Sequence, residues 1–123
     1  MLTSERKLCK LFIKFIEWGK IAKAENLMQL NPELEFPLQK AFESAALNKM
    51  ERGAGWTYEL ACKLSVKIDI HFDNDKLVNY LAIQECRSFI KWLLALEPNY
   101  QWKSTITSET LLLARKDTLA MLS

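Results

Sequence analysis

Residues 68–96 read IDIHFDNDKLVNYLAIQECRSFIKWLLAL, and this stretch decides the fold. It opens on Ile68-Asp69-Ile70, whose alternation of apolar and polar side chains is typical of a short, half-buried extended segment. The next residues, His71 to Asp75, favour turns and helix caps, so we expect Asn74 or Asp75 to cap the helix that follows. The extended segment and its turn, residues 68–75, are called the finger.

Two helices with apolar stripes follow the finger. The first leaves Lys76 and Asn79 for water, and the second is predicted from roughly Arg87 to Leu96, with Pro98 stopping it. A finger and two short helices cannot bury their own apolar faces, so this stretch predicts neighbours of the same kind. The inward side chains are expected to be Leu77, Val78, Tyr80, Leu81, Ala82, Ile83, Phe89, Ile90, Leu93, Leu94 and Leu96.

Related segments recur along the chain. Residues 26–32 match residues 92–98 at an offset of 66, and residues 56–60 form the intermediate copy. The spacings between equivalent first-helix positions are 30, 36 and 33 residues, a mean period of 33. Paired helices at this period predict a helical repeat array, with the length changes placed in the connections. The equivalent first-helix positions are Phe15, Ala45, Leu81 and Ala114.

The chain is therefore predicted to be all-α and to form a single domain over residues 1–123. It should hold about three helix pairs and a C-terminal half-repeat. The approximate repeats are residues 1–33, 34–66, 67–99 and 100–123.

The repeats resemble a degenerate, divergent ankyrin-repeat family, whose units read roughly I-D-I-H-x-x-N-D-x-A-F-x-x-A-C-x-x-G-H-L-x-V-A-K-W-L. The finger part of that pattern is matched by residues 68–71 and 74–75. The first-helix part is matched by residues 41–46, and the second-helix part by residues 19–24 and 91–94. The glycine that closes the first helix stands at Gly19, with Lys49 and Glu85 in its place in the next two repeats.

The resemblance implies an ankyrin-like helical stack that binds another protein through its finger tips and the concave face of its first helices. We expect a non-catalytic adaptor or effector-type module, either a monomer or a weak homodimer, with an unidentified protein partner. The residues that the resemblance places at the contact are His71, Phe72, Asp73, Asn74, Asp75, Lys76, Asn79, Tyr100 and Trp102.

Composition narrows the class of protein. The chain has 123 residues, is half apolar and carries a net charge of +2, values typical of a globular protein without a charge-defined partner. Three cysteines without paired spacing predict reduced thiols, and no apolar run has the length of a membrane span. We therefore expect a cytoplasmic protein, or one delivered into a host cytosol if it is an effector, with no membrane contact.

The N-terminal helix, predicted over residues 4–17 with Ser4 or Thr3 as its cap, raises an alternative function. Residues 1–24 are basic, and phosphate binding favours such a patch with exposed aromatic side chains beside it. Phe12 and Phe15, however, fall on the apolar side of this helix, so nucleic acid is not the expected partner. The other alternative is that the chain is a capping fragment of a longer solenoid.

No motif in the chain predicts catalysis, a metal site or a cofactor. Gly53-Ala54-Gly55 neither follows a strand nor completes a phosphate-binding loop, so its glycines are expected to allow a close helix contact. His71 is the only histidine, and one turn rarely completes a metal coordination sphere. Cys62 and Cys86 fall on helix positions that should face inward, away from any substrate.

The last repeat leaves two interpretations open. Tyr100 and Trp102 belong to residue types enriched in binding hot spots, but Trp102 can equally fold back onto the third repeat. The final helix is predicted over residues 109–122 with Ser108 as its cap. Its packed side chains are expected to be Leu111, Leu112, Ala114, Leu119 and Leu122.

Overall fold

Every regular element in the described chain is helical. In this computed structural model the backbone is described over residues 2–123 and the side chains over residues 4–123, and no strand occurs in that part of the chain. The predicted all-α class is therefore confirmed. Among those residues no helix is both long enough and apolar enough to span a bilayer.

Residues 1–33, 34–66 and 67–99 hold two helices each, as the three predicted helix pairs require, whereas residues 100–123, predicted as a half-repeat with one helix, hold two short ones. The stacking of these units as repeats stays a prediction. By its internal contacts the chain divides into an N-terminal unit that ends at Ile68 and a C-terminal unit from Asp69 to Ser123, while the single domain stays a prediction. The helices are α1 (Leu2–Glu17), α2 (Ile21–Leu30), α3 (Leu38–Leu47), α4 (Glu51–Lys63), α5 (Phe72–Ile83), α6 (Arg87–Leu96), α7 (Ser108–Leu113) and α8 (Lys116–Ala120). A 3-10 turn covers Trp102–Thr105.

A closely packed helix pair lies in the core of the N-terminal unit. A Cβ atom built on Gly53 would lie 2.3 Å from the backbone oxygen of Ile16, so α1 and α4 approach too closely there for any side chain. Phe12 and Phe42 are fully buried on either side, and the Phe12 ring contacts Phe36 with centroids 4.9 Å apart. The close helix contact expected of the glycine segment is confirmed at Gly53.

The same turn joins the two helices of each of the first three repeats. In each case the backbone N–H of the residue after the turn donates to the carbonyl five residues earlier. These bonds join Lys20 to Phe15 at 2.7 Å, Met50 to Ala45 at 2.8 Å and Cys86 to Leu81 at 3.0 Å. The residue before each of these donors has a left-handed backbone, with φ of 73° at Gly19, 61° at Lys49 and 58° at Glu85. This is the hydrogen-bond pattern of a Schellman motif. Its three acceptors are the residues aligned in the sequence.

Replacing Lys49 with glycine is expected to raise the free energy of unfolding by about 0.5–1 kcal/mol. Glycine adopts a positive φ without the steric cost that a Cβ atom causes. This gain is partly offset because glycine loses more conformational entropy on folding than lysine does. Urea unfolding followed by circular dichroism measures the change. The matched control is Lys40→Gly, an exposed position inside α3, where glycine should instead cost about 1 kcal/mol. Equal effects of the two changes would contradict the turn geometry.

Both ends of the chain differ from their predicted helices. The first helix already includes Ser4, so Ser4 does not cap it, and the Thr3 side chain lies outside the described side chains. The predicted final helix is broken into α7 and α8 by extended backbone at Ala114 and Arg115. The cap of α7 is Thr107 rather than Ser108, with its hydroxyl accepting the Thr110 N–H at 3.1 Å.

Glu85 accounts for the break. Its carboxylate accepts the Arg115 N–H at 2.9 Å and the Thr118 hydroxyl, and these two bonds lower the pKa of Glu85. Thr118, bonded to Glu85, and Thr110, bonded to Asn79, are buried, while Leu111 and Leu112 are 57% and 84% exposed. The predicted packing of those two leucines is therefore wrong.

Candidate functional site

The turn of the finger has an unusual backbone. Asp73, Asn74 and Asp75 all lie in the left-handed region, with φ of 51°, 57° and 62°, so the regular part of α5 begins only after Asp75. The Asp75 N–H bonds to the His71 carbonyl at 3.1 Å, and the His71 N–H to Asp69 Oδ1 at 2.9 Å. Aspartate and asparagine tolerate this conformation better than other non-glycine residues. The predicted turn is confirmed, but the Asp75 carboxylate makes contacts outside the helix instead of capping it.

The Asp75 carboxylate connects the finger to the segment after α6. Its Oδ1 lies 2.5 Å from His71 Nδ1, and its Oδ2 accepts the Tyr100 hydroxyl at 2.7 Å together with the Thr105 hydroxyl. The other ring nitrogen of His71 lies 3.0 Å from Glu97 Oε2. The side chain of Asp75 is 1% exposed. A buried carboxylate needs several donors, and here His71, Tyr100 and Thr105 supply them.

Three aromatic rings pack around the same point. The His71 ring stacks on Tyr100 with centroids 4.0 Å apart, and Trp102 lies 4.8 Å from both of these rings. The indole N–H of Trp102 donates to the Glu97 carbonyl at 3.1 Å. The group formed by His71, Asp75, Glu97, Tyr100 and Trp102 is called the His71 cluster.

The charges in the His71 cluster shift two pKa values. Partial burial opposes a charged imidazole, but the hydrogen bonds and negative charges of Asp75 and Glu97 outweigh it and raise the pKa of His71. The hydrogen bond to Asp75, together with burial, raises the pKa of Tyr100. A protonated His71 donates to both carboxylates at once, so the cluster is most strongly joined when the imidazole is charged.

The C-terminal unit is therefore expected to lose stability as the pH rises. A pKa raised in the folded state means that the contribution of His71 is complete below its unfolded pKa and is lost as the pH passes the folded one. The titratable groups that face the ring are Asp75, Glu97 and Tyr100. Urea unfolding at about pH 6 and pH 8 measures the loss.

The control for this pH dependence is His71→Gln, which keeps amide hydrogen bonding but does not titrate in this range. Because the chain has a single histidine, the difference between the two proteins isolates this ring. If the free energy of unfolding changes equally between the two pH values in the wild type and in His71→Gln, His71 is not the source of the pH dependence.

A second buried polar residue, Asn79, lies next to the His71 cluster. Its amide donates to the carbonyls of Asp75 at 2.9 Å and Thr105 at 3.1 Å. Its oxygen accepts the Thr107 N–H at 2.9 Å and the Thr110 hydroxyl at 2.7 Å. Asparagine can make four hydrogen bonds, and all four are made here. Asn79 therefore fixes the connection between the 3-10 turn and α7.

The structure separates the nine predicted contact residues into three groups. Asp73, Asn74 and Lys76 are exposed at the tip, and His71 and Tyr100 are half-buried. The other four are buried, which corrects the expectation that they face a partner. Phe72 and Trp102 are buried as large apolar side chains, whereas the polar atoms of Asp75 and Asn79 are hydrogen-bonded inside the protein. These four residues, with their exposed fractions, are Phe72 (6%), Asp75 (1%), Asn79 (7%) and Trp102 (4%).

Sequence reasoning missed four residues that complete this region. Glu97 reaches His71, and Thr105, Thr107 and Thr110 satisfy Asp75 and Asn79. The only signal was the density of hydroxyl residues between Ser104 and Thr110, because threonine and serine serve as caps and turn formers. Nothing in that pattern indicates which buried acceptor each hydroxyl meets.

The cysteines and the basic N-terminal helix also differ in part from expectation. Cys62 is exposed, so its predicted inward position is wrong, while Cys9 and Cys86 are intermediate. Lys7 and Lys10 are exposed, and Phe12 is fully buried as predicted. Within the described residues no group of three histidine, cysteine or acidic side chains is arranged to hold a metal ion.

Comparison with known proteins finds no matching family model, no matching curated protein and no matching solved structure.

Proposed function

We propose that this protein is a non-catalytic protein–protein interaction module of the divergent ankyrin-repeat kind, acting as a cytosolic adaptor or effector. The observation that carries the proposal is the turn at Gly19, Lys49 and Glu85, which joins each of the first three helix pairs with the same hydrogen bond. Repeated helix pairs form extended surfaces that such proteins use for binding.

The finger supplies a suitable surface because its tip is both polar and rigidly held. Asp73, Asn74 and Lys76 are exposed, while Phe72 and Asp75 on either side of the tip are buried. A recognition loop that is already ordered loses less conformational entropy on binding than a flexible one. The His71 cluster therefore favours specific recognition by the residues above it.

Affinity capture from a nuclease-treated cell lysate tests the proposal. The finger variant Asp73→Asn/Lys76→Gln keeps the net charge, and its asparagine suits the left-handed backbone at position 73. The matched control is Glu59→Gln/Lys63→Gln, an exposed pair of opposite charge on α4. The expected result is a protein retained by the wild type and the control but reduced several-fold with the finger variant.

Two outcomes would contradict this function. Retention of the same proteins by all three chains at equal levels would exclude the finger as the contact. Capture that is seen with an untreated lysate but is lost with the nuclease-treated one, while all three chains melt at the same temperature, would favour the nucleic-acid alternative instead.

A further inference from the structure

An open groove of about 820 Å³ crosses the C-terminal unit beside the His71 cluster. One wall is α6, the second is the segment from Pro98 to Lys103, and the third is the chain after α8. This volume lies in the range of ligand-binding pockets. The groove is partly open to solvent, so a segment of a peptide chain can enter it without a change of fold.

The apolar part of the groove is held in place from behind. Leu94, Tyr100 and Met121 line it and are partly exposed, so each offers apolar surface to a ligand. Tyr100 is fixed by its hydrogen bond to Asp75 at 2.7 Å, and Trp102 by its bond to the Glu97 carbonyl at 3.1 Å. The wall therefore keeps its shape without a ligand, which lowers the entropic cost of binding.

The charged side chains that line the groove are both basic. The charged side chains that line it are Lys91 and Lys103, both exposed, on two different walls. Asn99 and Gln101 also line it, and both of their amide side chains are exposed. Amide side chains can donate to and accept from a peptide backbone, while two ammonium groups complement carboxylates.

We propose that this groove binds a short acidic peptide segment of a partner protein, with its carboxylates at Lys91 and Lys103 and an apolar side chain on Leu94, Tyr100 and Met121. The inference rests on the proposed interaction function and names the chemistry of its partner. Acidic and apolar side chains on one extended segment match the two lysines, the amides and the apolar floor together.

Selection from a phage-displayed library of random peptides tests the groove, followed by fluorescence polarisation with the selected peptide. We expect aspartate or glutamate to be enriched next to leucine or an aromatic residue. The groove variant Lys91→Glu/Lys103→Glu should weaken binding about tenfold. The control Lys67→Glu/Lys116→Glu makes the same charge change at exposed lysines outside the groove and should bind as the wild type does. The milder pair Lys91→Gln/Lys103→Gln replaces the charge reversal if the reversal alters the melting temperature.

Three results would overturn the assignment. The first is selection of peptides without acidic residues, and the second is equal binding of the peptide by the groove and control variants. The third is oleate that binds the wild type more tightly than the peptide does and does not bind the groove variant. The last result would indicate an anionic lipid. If no acidic peptide binds the groove while the finger variant still loses its lysate partner, the groove assignment fails and the interaction function stands.

Discussion

Replacing Asp75 with alanine is expected to lower the free energy of unfolding by about 3–5 kcal/mol. The change removes the acceptor of the Tyr100 and Thr105 hydroxyls and one of the two carboxylates that contact His71. Removing one member of a buried charged pair costs this much because the remaining polar groups stay buried without a partner. Alanine is also less tolerant than aspartate of the left-handed backbone at position 75, where φ is 62°.

Two further variants separate these causes by urea unfolding. Asp75→Asn keeps the shape and the backbone preference but removes the charge, so its loss should fall between those of wild type and Asp75→Ala. Asp73→Asn, at the exposed neighbouring position with a similar φ, should change stability by no more than about 0.5 kcal/mol. A loss below about 1 kcal/mol for Asp75→Ala would show that the His71 cluster does not hold the finger. An NMR titration should also show a lower pKa for His71 in both Asp75 variants, because its nearest negative charge is gone.

Replacing Gly53 with alanine is expected to lower the free energy of unfolding by about 2–3 kcal/mol, even though alanine has the higher helix propensity. The added methyl group would lie 2.3 Å from the Ile16 backbone oxygen and 3.2 Å from its Cγ2 atom. A backbone oxygen inside a helix cannot turn away as a flexible side chain can, so α1 and α4 must separate. That separation would also loosen the packing of Phe12, which is fully buried on α1.

The matched control is Gly55→Ala in the same helix. Two residues along a helix correspond to about 200° of rotation, so position 55 lies on the opposite face from the contact with α1. The same gain in helix propensity then comes without the close approach. Thermal and urea unfolding of both variants measure the difference. Equal effects at the two positions would mean that the close contact at Gly53 does not limit the packing of α1 on α4.

Local patterns predicted the first helix to within two residues at its start and the second helix of the third pair with its observed bounds. The second helix of the third repeat was predicted over Arg87–Leu96 and has these bounds, because its apolar period and Pro98 act on neighbouring residues. The alignment of Phe15, Ala45 and Leu81 likewise matches the acceptors of the repeated turn. Lys49 and Glu85 adopt the left-handed turn without glycine.

The sequence predicted which segments form the candidate site but not which of their side chains are exposed. The sequence marked the finger and the aromatic segment near residue 100, which do come together. It could not predict that Asp75 and Asn79 are buried, because polar residues usually face water. Apart from His71 and the Asp75 carbonyl, their partners lie 25 to 31 residues away, and no local period connects residues at that distance.

Local sequence patterns were sufficient to predict the helical class and the turn of the finger. These features depend on apolar periodicity and turn chemistry, which act between residues close in the chain. Only the tertiary structure decided that Asp75 and Trp102 face inward, that the last helix breaks at Arg115 and that Lys91 and Lys103 share a groove. The reason is that these features depend on hydrogen bonds and packing between segments far apart in the chain. Glu85 and Asp75 accept hydrogen bonds from Arg115 and Tyr100, which come close only when the chain is folded.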